Sequence, residues 1–174
     1  RAGQAFSILR VPQVIGGLLD VGHIALLVED PGMSGRHASV GFYGKGYRNG
    51  ILHILLRDEG VLVSPDPLYS RALADDRLRP RIEELHSGTL TQEQAALLND
   101  CTRDRADGDP LTLAQFRTRA GQDREVATMK LEAEYYAGWA GILRPTRSSQ
   151  QPAGTGNCAT FVERRFPGCI TCPL

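Results

Sequence analysis

Residues 22–29 read Gly-His-Ile-Ala-Leu-Leu-Val-Glu, an unbroken aliphatic run entered through a histidine. That β-branched and aliphatic content suits a buried strand. The turn signal Asp30-Pro31-Gly32 follows it. A second strand is expected at His37–Tyr43, which reads HASVGFY. The two predict an antiparallel hairpin with a loose connection. The rest of the chain must supply what covers it.

The flanking segments carry weaker signals. Ala5–Leu19 mixes apolar residues with Pro12 and the pair Gly16-Gly17, and reads as a lead-in or short helix. Short strands are expected at Ile51–Leu56, Gly60–Val63 and Arg81–His86, with Ser64-Pro65-Asp66-Pro67 closing the second. Thr91 followed by Gln94 is a capping-box pattern that opens a helix. A further helix is expected at Leu111–Arg119, while Glu125–Trp139 is rich in helix formers and aromatic residues. Thr146–Gly156 reads as a flexible loop, and Phe161, Val162 and Phe166 then make one face of a helix near 157–166, stopped by Pro167-Gly168. The expectation is a single α+β domain over 1–174. Residues 1–20 lead in, 21–90 are mainly strands and 91–174 mainly helices, so that an antiparallel sheet packs against helices.

Composition excludes some partners. Lys plus Arg and Asp plus Glu both number 20, a formal net charge of zero that offers no pull toward nucleic acid or an anionic membrane. No apolar run reaches the length of a membrane span, and no secretory signal of the usual form is visible. The start at Arg1 fits a piece of a longer or processed protein. Cys169 and Cys172 form a C-x-x-C without the further Cys or His partners a zinc site needs. They read as a disulfide, local or shared with Cys101, or as packed thiols. No metal or cofactor is expected.

Chemistry concentrates on two residues. Cys158 falls in the first turn of its helix, where unpaired N–H groups lower a thiol's pKa and can hold an oxyanion. Asn157 before it is placed to cap the helix or orient a substrate. His23 opens a strongly apolar strand, where an imidazole needs a reason to be. It suits a general base that takes the thiol proton and later returns one to a leaving group. Taken singly, each also fits plain structure: a small residue on a core-facing helix, and a satisfied histidine at a strand end. His53, in an apolar run, reads as structural.

Together they carry a resemblance. Gly22-His23-Ile24-Ala25-Leu26-Leu27-Val28 resembles the first catalytic strand of the circularly permuted papain-like hydrolases. These are relatives of the NlpC-type peptidases and of the lecithin:retinol acyltransferase family. Asn157-Cys158-Ala159-Thr160-Phe161-Val162 is similar to their nucleophile motif N-C-x-x-F-V. Ser39-Val40-Gly41-Phe42-Tyr43 and Val63-Ser64-Pro65-Asp66 resemble bacterial members, and the likeness covers residues 21–166. It implies a permuted papain-like fold, with Cys158 as nucleophile and His23 as base and acid. A third polar group on the neighbouring strand would orient the imidazole, and His37 and Ser39 share the face that offers one. The sequence lacks a clear Asp or Asn in that role.

The implied chemistry is acyl transfer through a thioester, on a peptide amide such as a peptidoglycan stem or on a lipid ester. Compact bacterial domains of this kind look like secreted or delivered effector toxins. A peptide or lipid acyl substrate and a cognate immunity protein are then the expected partners, with a target-cell periplasm as a place of action. The competing reading is a non-catalytic binding module on the same fold.

Overall fold

The computed structural model describes residues 3–15, 19–29, 37–45, 58–102, 127–136 and 155–170. Ala5–Val11 forms a strand, β1, where the sequence reads as a lead-in or short helix. Phe6 and Ile8 pack into one apolar cluster and Leu9 and Val11 into another. Such alternate burial on two faces belongs to a strand's period of two. Pro12 ends the strand.

Val14–Ile15 (β2) and Leu19–Asp20 (β3) pair with each other. His23–Glu29 (β4) and His37–Gly44 (β5) form the expected antiparallel pair. Asp58–Ser64 (β6) leads directly into helix α1, Pro67–Ala74. A 3-10 turn at Arg79–Arg81, strand β7 (Glu83–Thr89) and helix α2 (Gln92–Thr102) follow. Ala127–Tyr136 is β8, Thr155–Gly156 is β9, and Cys158–Arg165 is helix α3. Seven strands make the main sheet in the order β7-β1-β4-β5-β6-β8-β9. All neighbours are antiparallel except β8 and β9.

Both faces of this sheet are covered. On one, Ile8, Leu26, Val40, Phe42 and Leu62 meet Leu98 of α2 and Phe161, Val162 and Phe166 around α3. Phe42 stacks on Phe161 with ring centroids 4.9 Å apart. On the other, Val11, Ala25, Tyr43, Val61 and Val63 meet Leu68 and Ala72 of α1. The architecture is a mixed α+β fold, an antiparallel sheet packed against helices.

The α2 cap forms as its pattern predicts, since Thr91 N donates to Gln94 Oε1 and Gln94 N to Thr91 Oγ1. Two segments do more than their sequence alone decides. The helix formers of 127–136 make a strand, because pairing along β6 overrides local propensity. The motif Ser64-Pro65-Asp66-Pro67 ends a strand and also starts α1, with Asp66 as N-cap and Pro67 in the first turn. The expected turn at 30–32, strand at 51–56, helix at 111–119 and most of the 146–156 loop lie outside the described residues, as do His53 and Cys172.

Candidate active site

Helix α3 begins at the thiol because Asn157 stops the chain there. Its Oδ1 accepts Thr160 N at 3.0 Å while its own N–H donates to Thr160 Oγ1 at 2.6 Å, a reciprocal capping box. Phe161, Val162 and Phe166 anchor the helix in the core. This sets Cys158 in the first turn, against the start of β4. Ile24 N donates to its sulfur at 3.5 Å. Cys158 also shares a side-chain hydrogen bond with His23. Cys158 and Cys169 carry free thiols.

His23 enters β4 under control of Asp20. Asp20 Oδ1 accepts Gln13 N at 3.0 Å and Gly22 N at 2.9 Å, and its Oδ2 accepts Arg81 at 2.5 Å. Gly22 has φ +69, a left-handed turn that glycine takes without penalty. The imidazole that follows is 3 % exposed, and its Nε2 lies 2.7 Å from Oδ2 of the fully buried Asp66. The Tyr43 hydroxyl donates to Asp66 Oδ1 at 2.5 Å and sits 3.1 Å from His23 Nε2. Leu68 N and Tyr69 N also donate to Oδ1, at 3.0 and 3.2 Å. One carboxylate therefore caps α1 with one oxygen and holds the imidazole with the other.

The electrostatics follow from burial against pairing. Burial alone would lower the His23 pKa, but the Asp66 carboxylate and the Cys158 thiolate outweigh it and raise it to about 10. Burial alone would raise the Cys158 pKa. The imidazolium, its hydrogen bond and the Ile24 amide overcome that and pull it below its ordinary value, with Asp66 opposing. The shifts favour a thiolate–imidazolium pair. Among the described residues no group of three or more His, Cys, Asp or Glu is placed to hold a metal ion.

The residues expected from sequence fare differently. His23 and Cys158 meet. His37 does not join them: it is exposed, paired with Glu29 at the far end of β4, about 20 Å of strand from His23. Ser39 is buried opposite Leu27 and acts at one remove, its Oγ accepting the Asp66 N–H at 2.9 Å. The oxygen of the Asn157 side chain is committed to the cap. The group on the imidazole is Asp66, which the sequence offers only within the strand-ending motif Ser64–Pro67 and the stretch Val63–Asp66 that resembles bacterial members, with no sign of this role. Its signal was an aspartate directly before a proline and an apolar helical stretch, the mark of an N-cap.

Gly41 makes room for this carboxylate. A Cβ there would overlap Asp66 Oδ2 and crowd the Tyr43 ring. Gly41→Ala is expected to push Asp66 off the imidazole, so that the pH at which His23 loses its proton falls below about 10, because the carboxylate and its hydrogen bond help hold that value up against burial. An unchanged His23 titration would show that the carboxylate tolerates the displacement.

No protein-family model, curated protein or solved structure matches this chain.

Proposed function

We propose that this protein is a cysteine hydrolase or acyltransferase in which Cys158, His23 and Asp66 act as nucleophile, acid–base and orienting group. The observation that carries the reading is the thiol at a helix start, hydrogen-bonded to an imidazole whose other side is held by a buried carboxylate. The order of His23 before Cys158, and a strand-start imidazole beside a helix-start thiol, support a permuted papain-like arrangement.

The thiolate attacks an acyl carbon and a C–S bond forms. The carbonyl oxygen takes the negative charge and can accept from the Cys158 backbone N–H, which has no acceptor among the described residues. Imidazolium gives its proton to the leaving nitrogen or oxygen as that bond breaks, leaving a thioester. His23 then takes a proton from water, which attacks the thioester and releases the acid and the thiol. Another acceptor in place of water makes the same steps an acyl transfer. Among the described residues no helix is long and apolar enough to cross a membrane.

Iodoacetamide labelling of Cys158 against pH, read by mass spectrometry, tests this. A thiol whose pKa is lowered from 9.0 keeps its reactivity below that pH and loses it only as acid returns the proton. The imidazolium persists until pH rises through about 10, so turnover that needs its proton falls above that value. The two limbs belong to the coupled pair. Labelling no faster than a free cysteine at pH 7 would leave a binding module as the better description. Incubation with peptidoglycan fragments and, separately, phospholipid vesicles then assigns amide or ester substrate.

A further inference from the structure

Resting on that reading, we propose that Tyr43 is a positioning residue which fixes the proton on His23 Nε2 and so turns Nδ1 toward the thiol. Its phenolic hydroxyl has a single proton, and that proton goes to Asp66 Oδ1 at 2.5 Å. The phenolic oxygen then faces His23 Nε2 at 3.1 Å with only lone pairs to offer. Asp66 Oδ2, on the same nitrogen at 2.7 Å, is also an acceptor. Two acceptors on one ring nitrogen oblige it to carry hydrogen. The remaining nitrogen, Nδ1, is left to exchange a proton with Cys158.

The position suits the task. Tyr43 is 2 % exposed, and its ring packs on the imidazole with centroids 5.1 Å apart and planes tilted by 31°. The ring limits rotation of His23 while the hydroxyl defines its polarity. Among the described residues, the charged or titratable groups facing the imidazole are Asp66 at the start of α1, Cys158 of α3 and Tyr43 of β5. Losing the hydroxyl removes one acceptor from the imidazolium and one donor from Asp66 Oδ1, where Leu68 N and Tyr69 N still donate.

Tyr43→Phe keeps the ring and removes only that oxygen. The readout is the ring-nitrogen NMR titration of His23, which needs no substrate. The wild-type ring should titrate near 10, with Nε2 protonated in the neutral form. In Tyr43→Phe the midpoint should fall by about one pH unit, the size of a modest charge-assisted interaction. Core filling alone would not move it. Replacing Tyr43 with 3-fluorotyrosine gives a second measurement should the phenylalanine variant fold poorly. Fluorine makes the oxygen a weaker acceptor, so the midpoint should again fall. Midpoints and Nε2 shifts that coincide with wild type in these variants overturn the assignment. A Cys158 that is unreactive in wild type instead defeats the cysteine-hydrolase reading and leaves the Tyr43–His23 coupling measurable.

Discussion

Asp66→Asn should leave the protein folded and lower turnover by about a thousandfold, because the wrong ring nitrogen would then be protonated. Asparagine is as good an N-cap as aspartate, so α1 keeps its start. The amide oxygen must take the place of Oδ1, where Leu68 N, Tyr69 N and the Tyr43 hydroxyl all donate. The amide nitrogen is then forced into the place of Oδ2 and presents hydrogen to His23 Nε2. Flipping the amide would set its N–H groups against two backbone donors. The cap thereby holds the amide in the harmful orientation. His23 must answer with a lone pair on Nε2, and its proton moves to Nδ1, opposite the thiol. Kinetics together with a thermal melt check this. Equal loss of stability and turnover would mean that Asp66 matters only as a cap.

His23→Ala should slow alkylation of Cys158 at pH 7 by about a hundredfold. A thiol at its ordinary value of 9.0 is about 1 % ionised at that pH. In the intact site the imidazolium charge and its hydrogen bond overcome the cost of burying the thiolate. Removing the ring deletes both and leaves the burial, so the remaining thiol should be no better than an ordinary one. The rate should then climb with pH as a simple thiol titration. A wild-type rate in His23→Ala would mean that the helix start and the Ile24 amide suffice to activate the sulfur.

What could be read beforehand was whatever is written locally. The aliphatic run after His23, the Thr91–Gln94 box and the apolar face of 157–166 each specify their element within a few residues, and each formed. β1 and β8 depend on partners far along the chain, and their composition alone is ambiguous. The third group of the site failed for the same reason. Choosing between His37 and Ser39 required the register of β5 on β4, which sets Leu26 opposite Val40 and carries His37 away from His23. Finding Asp66 required knowing that the end of β6 converges with the start of β4, across 43 residues of sequence. Its short punctuated motif looked complete as a turn, which concealed the helix it begins.

β1 lies inside the sheet with β4 on one side and β7 on the other. It precedes both partners in the chain, and Ala5 finds its place only when Thr89 is present. During synthesis this apolar strand therefore waits with an open side, a template for pairing with the wrong chain until β7 arrives. The chemistry waits longer, because the sulfur reaches Ile24 across 134 residues. A growing chain holds His23 and Asp66 well before Cys158 has been made, so the thiol and the imidazole can pair only once α3 docks against β4.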